Sequence, residues 1–447
     1  MTDRRYQSWG RYPKVEQQAV RLHWRDNALP RAGHEGKTFL PFGNGRSYGD
    51  SCLNDGGVVI DCRGLDRFIH FDADQGTLRC EAGVLLSDVL ELIVAKGWFL
   101  PVTPGTRFVT VGGAIANDVH GKNHHRDGTF GGHIRCFELL RTDGTRLLCS
   151  PKDNADWFGA TIGGLGLTGV ITWAEVRLKA IASPYIDQEI IRYRNLSDFF
   201  RLSAESDTEF DYTMAWIDCL AKGRSLGRGL FIRGNHAERK GGRQPRAPSR
   251  RITFPVDPPF SLVNGLSLRL FNAIYYRKQL PSRKRVLVHY EPFFYPLDAV
   301  FEWNRIYGSK GFLQYQCVVP PENGEAAIRE ILERIALAGT GSFLAVLKVF
   351  GNVSSPGLLS FPRPGVTLTL DFPNRDQTRD LLDRLDEVTR AAGGAVYPAK
   401  DGRMSAESFQ AYYPRWKELV PFIDPCFSSS FWRRVTVEER RVTVEEQ

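Results

Sequence analysis

A glycine-rich run that does not open a helix sets the first constraint on this chain. Pro41 to Ser51 reads PFGNGRSYGDS. Glycines at Gly43, Gly45 and Gly49 permit positive φ and let backbone N–H groups converge on an anion. In a Rossmann fold such glycines lead straight into a helix, with an acid about 20 residues on. Here CLNDGGVVIDC follows, which is a turn and then a strand. The Rossmann reading fails on that context, so the loop itself is expected to do the binding.

Two further stretches share the character. Pro104 to Ile134 reads PGTRFVTVGGAIANDVHGKNHHRDGTFGGHI. Gly112 and Gly113 precede a short apolar turn, which suits a helix N-terminus pointing donors at pyrophosphate. Gly163 to Thr172 reads GGLGLTGVIT, where backbone can approach a flat ring closely. Three such loops in one unit point to a large phosphate-bearing cofactor.

Up to about residue 180 the chain alternates short β-rich runs with glycine turns. Val58–Asp61 and Thr77–Glu81 lie in two such runs, and LLSDVLELIVAKG reads as an amphipathic helix with Ser87 as its N-cap. Asp143-Gly144 is a strong hairpin signal. This is an α+β pattern. Beyond residue 180 aromatics become frequent, and helices are expected near 325–338 and 377–392. At 447 residues, two domains are the expectation.

Composition narrows the function classes. No apolar run reaches the roughly 18 residues of a membrane span, and MTDRRYQSWGRYPK lacks the apolar core of a signal peptide. A cytoplasmic protein is expected. The eight cysteines are scattered without a C-x-x-C pair, which argues against a zinc knuckle or a disulfide scaffold. The net charge is +8, concentrated between Lys222 and Arg285, with Arg239, Lys240, Arg243, Arg246, Arg250 and Arg251 densely placed. No RRM, KH or helix-turn-helix signature accompanies them, so nucleic acid is not the expected partner. Two readings stay open: a solvated loop, or a flap touching an anionic membrane or a polyprenyl phosphate. Phe254, Phe260, Leu262, Leu266, Leu270 and Phe271 nearby suit the second.

GNGRSYGD, the VTVGGAIANDVHGKNHH stretch and GGLGLTG resemble the FAD domain of the vanillyl-alcohol-oxidase (PCMH-type) flavoprotein family. WNRIYG, GFLQYQ, LKVFG, LSFPRPG and YPAKDGR resemble the branch of that family that oxidises the 2′ carbon of a polyprenylphosphoryl ribose. The resemblance implies an α+β architecture: a two-subdomain FAD-binding domain over 1–180 and an antiparallel-sheet-and-helices substrate domain over 181–395. The latter would carry a basic insert near 235–285, and 396–447 would return to the FAD domain. It implies an FAD-dependent oxidase producing a 2′-keto sugar, which an NAD(P)-dependent partner reductase completes to the arabinose form. A soluble aldonolactone or sugar-alcohol oxidase is the alternative.

The same resemblance assigns residues. Pro41, Phe42, Gly43, Asn44, Gly45, Arg46, Ser47, Tyr48, Gly49, Asp50 and Ser51 would hold FAD, with Gly105, Thr110, Val111, Gly112, Gly113, Asn117, Asp118, Val119, His120, Ile171 and Tyr397. Many relatives attach FAD through a histidine at the place of Asp50, so non-covalent FAD is expected. Lys122, Tyr307, Gln314, Gln316, Lys348, Thr369 and Lys400 would face the substrate, and Lys400, His120 and Tyr48 would take part in catalysis. Relatives place a cysteine where this chain has Thr369, with Thr367 two residues earlier. Asp371 is catalytic by residue type, but a strand-end acid capping a turn is the commoner reading. His120, His124 and His125 lack metal-ligand spacing, and no metal is expected. The tail repeats RRVTVEE from Arg433 and Arg440.

Overall fold

The computed structural model describes residues 6–238, 252–279 and 281–436. Arg239, Lys240, Arg243, Arg246, Arg250 and Arg251 lie outside these, as does the second copy of the tail repeat. The fold is α+β. Among the described residues the strands form three main sheets and two small pairs.

The first main sheet is parallel and three-stranded, with Val58–Asp61 between Gln18–Arg21 and Phe39–Phe42. Its central strand, VVID, is buried along its whole length, as expected of a parallel strand covered on both faces. The second is antiparallel: Phe68–Asp72, Thr77–Glu81, Val170–Arg177, Ile134–Leu140, Arg146–Cys149. Asp143-Gly144 turns its last hairpin, with Gly144 at φ +88°.

The helix Leu86–Val94 packs its Leu86, Val89, Leu90 and Ile93 face into the core over this sheet. Its start differs from expectation. Leu85 is the N-cap, and the Ser87 hydroxyl bonds Asp88 instead. The first-turn amides of Leu86 and Ser87 already donate to the carbonyls of Val109 and Arg107, so no side-chain cap is needed.

The third sheet has eight antiparallel strands, in the order Arg283–His289, Tyr185–Tyr193, Gly229–His236, Tyr212–Ile217, Val346–Phe350, Gly365–Pro373, Phe312–Val319, Ala395–Val396. The amphipathic helices Leu196–Ser206, Pro321–Ala338 and Asp376–Ala391 bury their apolar stripes in one continuous core with it. Strand side chains alternate between faces. Tyr315, Cys317, Leu368 and Leu370 sit in that core, which leaves Gln314, Gln316, Thr369 and Asp371 for the opposite face.

C-terminal residues pack back on the first sheet. Phe427 bridges Phe39, and Arg434, on the helix Ser430–Val435, forms ion pairs with Asp50 at 2.6 Å and Asp401 at 2.9 Å.

Candidate active site

One large cavity lies between the glycine loops and the free face of the eight-stranded sheet. Its loop wall includes Pro41 to Tyr48, Ser51, Gly105, Thr110, Gly112, Gly113, Asn117, Val119, His120 and Ile171. Its sheet wall includes Gln314, Gln316, Lys348, Thr369, Asp371, Tyr397 and Lys400, with Lys122 at the join. Asp371 apart, these are residues expected in a site, and they come together.

Five do not reach the cavity lining, each for a local reason. Gly49 lies under the backbone of Asp401: a Cβ there would sit 1.6 Å from its carbonyl oxygen. Asp50 is turned onto Arg434. Val111 is a core side chain. Asp118, at φ +40°, accepts from the Gly131 amide at 2.8 Å and from the Ser355 and Ser360 hydroxyls at 2.5 Å each. It fastens the His120 loop to the 355–360 segment. Tyr307 stacks on Phe312 at 4.4 Å, within a small apolar cluster behind Tyr48.

The fit to a phosphate-bearing cofactor rests on the first loop. The amides of Gly43 through Ser47 donate to no described residue, forming a run of free donors along the cavity wall. Gly45 makes this possible: its φ is +59°, and a Cβ would lie 2.5 Å from the Gln7 carbonyl oxygen. Gly105 faces open space, where a side chain would intrude. The second glycine pair behaves otherwise. The amides of Val111, Gly112 and Gly113 donate to Val84 O, Ala82 O and Thr110 Oγ1. The N-terminus of Val111–Ala116 therefore has no first-turn donors to spare for a pyrophosphate; these glycines allow close approach instead. Arg46, stacked 4.1 Å over Trp9, has a buried Nε with no partner among the described residues.

At the polar end His120 is held from both sides. The Gln316 carboxamide meets Nε2 at 2.8 Å, and Lys348 Nζ meets Nδ1 at 3.2 Å. Burial first, then neighbouring lysines, push its pKa well below the usual histidine range, so it is neutral. Tyr397 donates to the Asn117 carbonyl at 2.6 Å and stacks on Phe361 at 4.6 Å. Three lysines share the cavity. Lys122 donates to Phe294 O, Lys348 to Gly121 O, and Lys400 Nζ lies 3.8 Å over the Tyr48 ring. Burial lowers Lys122 to about 8 and Lys348 and Lys400 to about 7.

Asp371 is the residue that sequence reasoning set aside. It caps no turn; it is buried, lines the cavity and accepts from Gln314 Nε2 at 2.6 Å. Burial raises it to about 7, against the opposing pull of Gln314 and Lys400. A signal was present. Thr367, Thr369 and Asp371 alternate with leucines in TLTLD, the period of a strand with one polar face. The apolar lining residues Trp9, Phe108, Leu297, Val300, Phe301 and Trp303 were also not among the expected site residues. His124 packs 4.5 Å from Phe350, and His125 bonds Phe210 O; neither lines the cavity.

Comparison with known proteins places this geometry. An FAD binding domain family model matches residues 26–150. The chain is 36% identical to the decaprenylphosphoryl-β-D-ribose oxidase of Mycolicibacterium smegmatis, covering 97% of this chain and 98% of that one. It is 35% identical to an uncharacterised protein in the mprA 5′ region of Streptomyces coelicolor, over 79% of this chain and all of that one. Mouse L-gulonolactone oxidase is 29% identical over only 37% of this chain and 38% of its own length. FAD is the cofactor, and the protein is an FAD-dependent oxidoreductase. With near full-length coverage on both sides, the chain belongs to the decaprenylphosphoryl-β-D-ribose oxidase family of FAD-binding enzymes.

Proposed function

We propose that the enzyme oxidises the 2′-hydroxyl of a polyprenylphosphoryl-β-D-ribose to the 2′-ketone. This is the first half of an epimerisation that an NAD(P)-dependent reductase completes to the arabinose form, a precursor for cell-wall arabinan. The observation that carries the reading is the lining of the cavity: three lysines, a neutral histidine, two glutamines and the Asp371 carboxylate share it with the apolar side chains of Trp9, Phe108, Leu297, Val300, Phe301 and Trp303. A sugar phosphate on a lipid tail combines the same two characters. A soluble aldonolactone or sugar-alcohol oxidase is supported less, since similarity to L-gulonolactone oxidase spans little over a third of the chain.

When bound, FAD supplies the hydride acceptor. The protein does the rest. Lys400, neutral above about 7, accepts the hydroxyl proton, and once protonated it places a cation beside the electron-rich end of the reaction. Asp371 faces that cation, and Gln314 fixes the carboxylate. His120, locked between Gln316 and Lys348, orients a sugar hydroxyl without competing for the proton. Lys122 and Lys348 meet the phosphate or ring oxygens, and Tyr48 covers Lys400. Thr369, where relatives carry cysteine, contributes a hydroxyl; hydride transfer needs no thiol there.

FAD is held non-covalently in this reading. Asp50 sits where relatives link the ring, and its carboxylate is engaged with Arg434. Acid precipitation of the purified enzyme should leave the yellow colour in the supernatant; a yellow pellet contradicts it. No helix among the described residues is long and apolar enough to cross a membrane. A polyprenyl tail nonetheless keeps its sugar in a bilayer, so we place the enzyme peripherally on the cytoplasmic face.

A further inference from the structure

The helix Gly265–Arg277 has an inner face that is fully committed. Leu268 packs with Val263, Tyr307 and Phe312. Asn272 donates to Asp218 at 2.8 Å, Tyr275 lies 4.6 Å from Trp216, and the Tyr276 hydroxyl donates to Tyr193 O. Asn264 caps the helix through a reciprocal pair of hydrogen bonds with Ser267. The element is thus rigidly seated.

Its outer face is apolar and bare. Leu266, Leu270 and Ile274 recur every fourth residue, one stripe on a helix, and are 79%, 61% and 61% exposed. Phe260, just before the helix, is 68% exposed. Arg269 and Arg277 fall on the same face by helical spacing, and Lys278 follows. From Ile252 to Val288, where Arg283 and Arg285 are paired with Glu189 and Asp187 of the neighbouring strand, the described chain otherwise carries Arg269, Arg277, Lys278 and Lys284 against one acid, Asp257. That acid is bound bidentately by Arg11. A bare leucine stripe bordered by long cations is the pattern of a helix lying in a bilayer interface: the leucines enter the acyl boundary and the cations meet anionic headgroups.

The position connects this face to the cavity. Ile252–Thr253 pairs in parallel with Val300–Phe301, and the Leu262 amide donates to Ile306 O. Val300, Phe301 and Trp303 line the cavity. Leu268, on the inner side of the helix, sits in a cluster against which Trp9, Tyr48 and Trp303 pack. That cluster joins the inner side of the helix to side chains that line the cavity, Trp9, Tyr48 and Trp303.

We propose that the outer face of Gly265–Arg277, with Phe260, docks on an anionic bilayer surface and sets the apolar end of the cavity at the lipid boundary. The inference rests on the lipid-linked-substrate reading for its purpose, but binding is measurable without turnover. The test uses FAD-loaded full-length enzyme and phosphatidylcholine vesicles with or without roughly one third phosphatidylglycerol.

The wild-type protein should float with anionic vesicles and far less with neutral ones. Combined Leu266→Ser, Leu270→Ser and Ile274→Ser should lower the partition coefficient about tenfold or more, with the flavin spectrum and melting temperature unchanged. Combined Arg269→Glu, Arg277→Glu and Lys278→Glu should remove the preference for anionic lipid. Equal flotation of the serine variant, or no flotation of wild type, overturns the proposal. So does sedimentation showing a dimer that the serine substitutions dissociate, since the stripe would then belong to a second copy. If flotation behaves as stated but polyprenylphosphoryl ribose fails to reduce the flavin, the substrate reading falls and the docking surface stands.

Discussion

In the proposed reaction Lys400 concentrates the chemistry at the residue scale. A lysine serves as base only when neutral, and burial brings this one to about 7. kcat/KM should therefore rise with pH through about 7 and level off above it. Lys400→Ala should keep bound FAD and lose turnover by about 10²- to 10⁴-fold; near-wild-type activity with an intact flavin spectrum refutes the assignment. Asp371 offers a sharper check because the sign is fixed. Its negative charge raises the pKa of Lys400, so Asp371→Asn should move the rising limb to lower pH. A limb that stays put or moves to higher pH contradicts the coupling. Lys400 and the glycine-loop wall of the cavity were legible in the sequence, because the motifs that carry them are contiguous; the apolar lining, scattered along the chain, was not. Tyr307 was not. Its stacking on Phe312 depends on how WNRIYG folds against the strand Phe312–Val319, which no local pattern states.

At the scale of elements, the first loop and the C-terminal helix work as one device. Tyr48 N donates to Ala399 O, and Gly49 lies flat under Asp401, so the loop rests directly on the Tyr397-to-Lys400 turn. Arg434 closes the assembly by pairing with Asp50 and Asp401 and donating to Met404 O. Arg434→Ala would leave two buried carboxylates without their cation. It should cost about 3–5 kcal/mol, read as a drop in chemical-denaturation stability, together with weaker FAD retention. A change under about 1 kcal/mol would show that the pairs are screened and the closure lies elsewhere. The glycines of this loop were readable as a cradle from sequence alone. The spent donors of Val111 and Gly112 were not, since they depend on Val84 and Ala82 arriving alongside from just beyond the strand Thr77–Glu81.

For the whole molecule, the cavity exists only where two units meet. The loop wall comes from the region matching the FAD binding family and its immediate continuation; the sheet wall comes from adjacent strands more than a hundred residues later and from the Tyr397-to-Lys400 turn. Neither wall alone holds both the glycine cradle and Lys400. The α+β class was readable from strand spacing and glycine turns. The eight-strand order was not, because long-range pairing leaves no local signature beyond alternation.

Oxidation of a lipid-linked pentose against FAD is read out by anaerobic reduction of the enzyme-bound flavin. Polyprenylphosphoryl ribose, free ribose, a polyol and an aldonolactone are offered in turn and the visible flavin band is followed. The account predicts rapid bleaching by the lipid-linked ribose and little or none by the others. Bleaching by the aldonolactone or the polyol, with the lipid-linked sugar inert, would contradict it.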